Sequence, residues 1–269
     1  MWRHDARSKS LIHCGYTRQG TPVSYPPEVL DSDLVIAVGE IRPHYFAGYA
    51  GGAKTVFPGV AGEDGIWKNH QMKSLPGSQL GQVEGNPCRA DMEDAAHLVG
   101  HIFIINVVRD HSERPVEITC GHPIWAHRAG VAKARPYFER SFSQQFQTVI
   151  VSDAYPVSQS LYQACKMLPV AGRILRPGGT IILCAECAHG VEPVKVVNQA
   201  IYQLGCVPKL PQDHRVYLVS SLDADSVRNT FAQFSPDVES LLAEVQGAEL
   251  AVLPYATNVI PIVNKGVNL

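Results

Sequence analysis

The segment Gly39-Glu40-Ile41-Arg42-Pro43-His44-Tyr45-Phe46-Ala47-Gly48-Tyr49-Ala50-Gly51-Gly52-Ala53-Lys54 gathers residue types that do chemistry. Its four glycines let a backbone approach a ligand closely and turn amide groups toward an anion such as phosphate. Lys54 closes the run and offers a counter-charge or, with its pKa lowered, a nucleophilic amine. His44 stands ten residues before that lysine, and His70, in Trp67-Lys68-Asn69-His70, sixteen residues after it. An imidazole titrates near neutrality, so each histidine could move a proton or bind a metal. Singly, each has a plainer reading. His44 suits a surface or capping position, His70 a helix surface, and the glycine run lacks the Walker spacing of a phosphate-binding loop. Together they mark a site without naming its reaction.

A site of this kind needs elements to hold it. Asp33-Leu34-Val35-Ile36-Ala37-Val38-Gly39-Glu40 is continuous and β-branched, as expected of a strand buried on both faces of a parallel sheet. The glycine loop then leaves its carboxyl end, where α/β proteins place ligands. Helices are expected over 65–73, from Asn86-Pro87 over 86–99, and over 122–138; a second buried strand is expected over 102–108. Leu11-Ile12-His13-Cys14-Gly15 reads as a short strand without a partner before it. A polar linker is expected over 139–147. Beyond it, strands are expected over 148–151, 180–185, 215–219 and 249–253, with helices over 160–175, 193–204 and 238–245. Arg176-Pro177-Gly178-Gly179 reads as a helix-stopping turn. The alternation predicts an α/β protein of two domains, 1–140 and 148–269, with mainly parallel or mixed sheets flanked by helices.

Composition excludes several functions. The 269 residues carry 23 Lys plus Arg against 25 Asp plus Glu, so no basic field exists for a nucleic acid or an anionic membrane. No apolar run approaches the ~20 residues of a membrane span, and the first residues lead into no signal core. A cytoplasmic protein is expected. Seven cysteines, an odd count, argue for reduced thiols, and Cys184-Ala185-Glu186-Cys187 lacks a second ligand pair at zinc spacing.

The segment from Pro43 to Lys54, with Pro58-Gly59-Val60 and Asn69-His70, resembles the nickel-pincer-dependent lactate racemase (LarA) family. The resemblance continues in Gly85-Asn86-Pro87-Cys88-Arg89-Ala90-Asp91-Met92-Glu93, in Leu161-Tyr162-Gln163-Ala164-Cys165-Lys166 and in Arg176-Pro177-Gly178-Gly179. It implies an isomerase, a racemase or epimerase of a small, lactate-like 2-hydroxy acid. The implied cofactor is a nickel-pincer nucleotide, a pyridinium-3-thioamide-5-thiocarboxylic acid mononucleotide, delivered by cofactor-synthesis enzymes. On this resemblance Lys54 bears the cofactor, on the loop of Gly51 and Gly52, and His70 completes the nickel coordination. His44 is one of two acid–base histidines, and Tyr162, Gln163 and Lys166 bind the substrate carboxylate from the second domain. It implies that proton removal by histidine accompanies reversible hydride transfer through a 2-keto acid.

The family pattern starts well before this Met1, with a second catalytic histidine and an aspartate-arginine motif that find no match here. A chain beginning within its first domain is therefore expected. Two other readings stand beside the racemase: an inactive, cofactor-holding remnant, and a nickel-free protein binding a phosphate ligand through the 48–54 loop.

Overall fold

The expected first strand has a partner that the sequence reading missed. Ile12–Tyr16 (β1) pairs antiparallel with Pro22–Tyr25 (β2), and Gly20, at φ 75°, closes the turn between them. The computed structural model describes residues 2–244 and 249–264. The chain divides into two units, Met1–Phe138 and Glu139–Leu269.

In the first unit, after a short helix Pro27–Leu30 (α1), strand Val35–Glu40 (β3) runs into a small hairpin, Pro43–His44 (β4) with Gly48–Tyr49 (β5). Helices Glu63–Gln71 (α2) and Pro87–His97 (α3) follow, then strand Ile102–Arg109 (β6), parallel to β3. Strand Pro115–Gly121 (β7), unanticipated, pairs antiparallel with β6, and Trp125–Phe138 (α4) ends the unit. The sheet order is β3-β6-β7. Helix α4 lies so close to it that a Cβ on Gly130 would meet Ile41 and Thr119. Ala37 and Ile104 face a core that includes Tyr25, Phe46, Phe57 and Met92.

The opposite sheet face corrects the expectation of double burial. Ile36, Val38 and Ile118 are 57%, 66% and 60% exposed, and the pairings Ile36↔Phe103, Val38↔Ile105 and Val107↔Ile118 place them on one apolar face. The apolar run was read correctly as a strand; the core and α4 cover only its other side.

The second unit holds a five-stranded, all-parallel sheet, so the α/β class holds. Glu139–Phe142 (β8) corrects the expected linker: it pairs with Ile260–Val263, which is β14 in chain order. The large sheet is built from Phe146–Ser152 (β9), Leu175–Cys184 (β10), Arg215–Val219 (β11), Gln233–Ser235 (β12) and Leu250–Leu253 (β13), ordered β12-β11-β10-β9-β13. The expected turn at 176–179 lies inside β10, as a register break between Leu175 and Thr180 with Gly178 at φ 72°. The helix expected over 160–175 is divided into Leu161–Ala164 (α5), a 3-10 turn Cys165–Met167, and Leu168–Gly172 (α6). The one over 193–204 becomes Val194–Val196 (α7) followed by a π-helix, Val197–Cys206. A short helix Ala224–Val227 (α8) and Val238–Glu244 (α9) complete the unit; the expected end of α9 at Val245 lies outside the described residues. Among the described residues, no helix is long and apolar enough to cross a membrane.

Candidate functional site

Helix α3 organises the first unit's loop. Asn86 caps it, its side chain accepting from the Arg89 amide at 3.0 Å, and Pro87 occupies the first turn, where a missing N–H costs nothing. The same Asn86 side chain donates to the Phe46 carbonyl at 2.8 Å. Arg89, fully buried, donates from Nε to the Ala47 carbonyl at 3.3 Å, from Nη1 to that of Gly51 at 3.1 Å, and from Nη2 to that of Tyr49. Burial lowers its pKa to about 10, so it stays charged at neutral pH. Asp91, on the same helix, accepts from Thr17, Thr21 and Asn69 at 2.5, 2.9 and 2.8 Å. Asn69 precedes His70 on α2, so α3 sets both the loop and the helix that carries His70.

The loop's backbone is occupied internally. Gly81 N–H donates to the Gly48 carbonyl at 3.0 Å and His127 Nε2 to that of Ala50 at 2.9 Å, so every carbonyl from Phe46 to Gly51 accepts a hydrogen bond. The amides of Tyr49 and Ala50 donate to the Ala47 and Arg42 carbonyls, and that of Gly52 to Asn106 Oδ1 at 2.8 Å. Where the sequence reading had the glycines turn their amides toward an anion, that of Gly52 is thus turned inward. Their requirement is steric: Gly48 has φ 78° and a Cβ there would lie 2.0 Å from the Gln82 carbonyl oxygen, while Gly52, at φ 63°, would put one 2.7 Å from the His127 ring.

Three of the expected side chains belong to this unit. His44, at the end of β4, packs edge-on to Phe46 with centroids 4.6 Å apart, and His70 packs on the same phenyl ring at 5.0 Å. His44 Nδ1 accepts from the Ala47 amide at 3.3 Å, which places the proton of the neutral ring on Nε2. Lys54, half-buried, lies in the 3-10 turn Gly52–Thr55 directly after Gly51 and Gly52. Phe57, just beyond, packs so tightly on α2 that a Cβ at Gly65 would be 3.2 Å from its ring. Tyr162, Gln163 and Lys166 belong to the second unit. Ser160 caps α5 by accepting from the Gln163 amide at 3.3 Å, and Lys166 Nζ donates to Gln163 Oε1. Cys206 Sγ, at the end of the π-helix, meets the Cys165 carbonyl at 3.4 Å and backs this segment.

Sequence reasoning assigned no role to Arg89, Asn86, Asn106 or His127. The Asn86-Pro87 pair announced a helix start, but bonds reaching 38 to 42 residues back to the loop leave no local signal. Among the described residues, no three His, Cys, Asp or Glu side chains converge as a metal site. The imidazole of His70 is a donor type that nickel accepts beside sulfur.

A family model described as the lactate racemase N-terminal domain matches residues 1–81. A lactate racemase of Thermoanaerobacterium thermosaccharolyticum is 33% identical over 190 residues, covering 70% of this chain and 45% of that protein. One of Lactiplantibacillus plantarum is 28% identical over 283 residues, covering 93% and 67%. This chain thus spans 45% and 67% of these relatives' lengths. The structure of the lactate racemase apoprotein from T. thermosaccharolyticum superposes with a TM-score of 0.84 at 26% identity, over 97% of this chain and 70% of that one. A Thermotoga maritima protein, 14% identical with a TM-score of 0.73, shares the fold.

Proposed function

We propose, for a chain that belongs to the lactate racemase family, that it interconverts the enantiomers or epimers of a small 2-hydroxy acid. The observation that carries this reading is the pair of imidazoles, His44 and His70, set against one phenyl ring beside a backbone locked as far as Gly52 and leading to Lys54. Lys54 would hold a nickel-pincer nucleotide covalently, and His70 would donate an imidazole nitrogen to its nickel. When bound, that group supplies a reversible acceptor for hydride at the substrate carbon.

His44 moves the hydroxyl proton. In the described ring the Nε2 atom carries the proton, so His44 is set first as a donor. To act as a base at Nε2 it must shift its proton to Nδ1 and release the Ala47 amide, a bond already at the long end of the range. Lys166, aligned by Gln163, supplies the counter-charge for the substrate carboxylate, and Tyr162 stands on the same short segment. Loss of the hydroxyl proton and of hydride leaves a planar 2-keto acid; return of hydride to the opposite face of the carbon, with a proton to the oxygen, inverts the centre. The amides of Tyr49, Ala50 and Gly52, donated within the unit, leave fewer donors for the phosphate-ligand reading.

The test uses protein matured with the cofactor-synthesis enzymes and single enantiomers of lactate and other 2-hydroxy acids, followed by chiral chromatography. Inversion of at least one acid is expected, and His44→Ala should slow it by ~10²–10⁴. Complete retention of configuration by cofactor-loaded protein would make this a cofactor-holding chain without turnover.

A further inference from the structure

We infer that Arg89 is the positioning residue for the Lys54 amine: its buried guanidinium spans the carbonyls of Ala47, Tyr49 and Gly51 and so fixes the backbone that delivers Lys54. The inference rests on the reading of Lys54 as the point of cofactor attachment. Burying a cation without a carboxylate partner is an inefficient way to stabilise a fold, since an apolar residue of similar volume often serves as well. Arg89 makes its hydrogen bonds to carbonyls, while the nearby Glu93 is paired with Arg128. What the guanidinium adds is its shape. A rigid, planar fork spreads five donors over three nitrogens and so holds alternate carbonyls at 47, 49 and 51 at once, whereas a lysine's three donors share one nitrogen on a flexible stem.

The loop needs such a clamp. Gly48, Gly51 and Gly52 all sit at positive φ, and a run of that composition has many conformations open to it unless held. Among the described residues, Asn86, Gly81, His127 and the loop's own Tyr49 amide each reach one of its carbonyls, whereas Arg89 reaches three. An amine presented for reaction gains most from restricted orientation, and Lys54 follows the last clamped carbonyl by three residues.

The full chain is tested as Arg89→Lys and Arg89→Met, with Met92→Ala as a control that loosens the same core without reaching a loop carbonyl. Three readouts are compared at a temperature where each variant is folded by circular dichroism: amide exchange of residues 47–53 against β6, acylation of apo Lys54 by an amine-reactive ester, and adduct yield after maturation. For both Arg89 variants, loop protection is expected to fall at least tenfold with β6 unchanged, the Lys54 acylation rate to change, and adduct yield to fall at least fivefold. Met92→Ala should lose stability but keep loop protection and yield. Loop protection and yield that merely track stability across the three variants would overturn the inference, as would failure of both Arg89 variants to fold. A wild-type chain that takes no adduct would instead sink the reading of Lys54, while amide exchange still decides the role of Arg89.

Discussion

His127 shows how a single residue couples the site to pH. Burial, with the positive charges of Arg89 and Arg128, holds its imidazole well below its usual pKa, although the Ala50 carbonyl bond opposes this. The folded ring therefore stays neutral, whereas the unfolded ring takes a proton below about pH 6.5. Stability from this group is fully present above that pH and is lost as pH falls, by up to ~1.4 kcal/mol per pH unit. Urea titrations at pH 7.5, 6.5 and 5.5 should show this slope, and His127→Gln should lower stability overall while flattening it. Equal slopes in the two proteins would contradict the burial of a neutral ring. At Gly52 the demand is steric. Gly52→Ala places a methyl 2.7 Å from that ring at positive φ and should cost ~1–3 kcal/mol in strain alone, measurable as a lowered urea midpoint. That His44, Lys54 and His70 share the first unit was legible from the sequence, because they sit on one short stretch of chain. The role of Arg89 was not, because an arginine in the first turn of a helix looks like any exposed helix residue until the chain folds back onto it.

At the scale of elements, α3 is the scaffold of the first unit. Its cap does two jobs: Asn86 receives the Arg89 amide and donates to Phe46, whose ring carries both imidazoles. Asn86→Ala should therefore cost more than the ~1 kcal/mol of an ordinary cap, and the excess should appear as faster amide exchange in residues 44–52. A loss confined to the first turn of α3 would contradict the double role. The sequence located α3 well, since a cap and a proline at the first turn are local signals. It failed where partners lie far apart. Strand β8 is short and polar and exists by pairing with β14, more than a hundred residues later, so its own composition reads as linker. The break in β10 failed differently: Arg176-Pro177-Gly178-Gly179 has turn chemistry, and the strand absorbs it as an irregularity in register.

The whole molecule carries an unusual surface. One face of the β3-β6-β7 sheet leaves Ile36, Val38 and Ile118 more than half exposed, with Phe103 beside them at 39%, and contiguous apolar patches on soluble proteins rarely exceed a few hundred Å². Strand β3 is also a sheet edge, with backbone groups open to pairing. The chain expressed alone should self-associate, and Ile36→Lys with Val38→Lys should raise its soluble fraction several-fold, read by light scattering at matched concentration. A wild-type chain that stays monomeric at high micromolar concentration would contradict this. The alternation of elements made the α/β class legible from sequence, but which sheet face the core would cover was not, because both faces of β3 carry aliphatic residues.

Lys54 is proposed as the anchor of a nickel-bearing nucleotide. Its most direct test is peptide-mapped mass spectrometry, with metal analysis, of the chain produced alongside the cofactor-synthesis enzymes. A covalent mass increase confined to the peptide containing Lys54 is expected, with stoichiometric nickel that His70→Ala loosens without releasing the adduct. An unmodified Lys54 and no bound nickel, in protein that is folded and fully exposed to those enzymes, would contradict it.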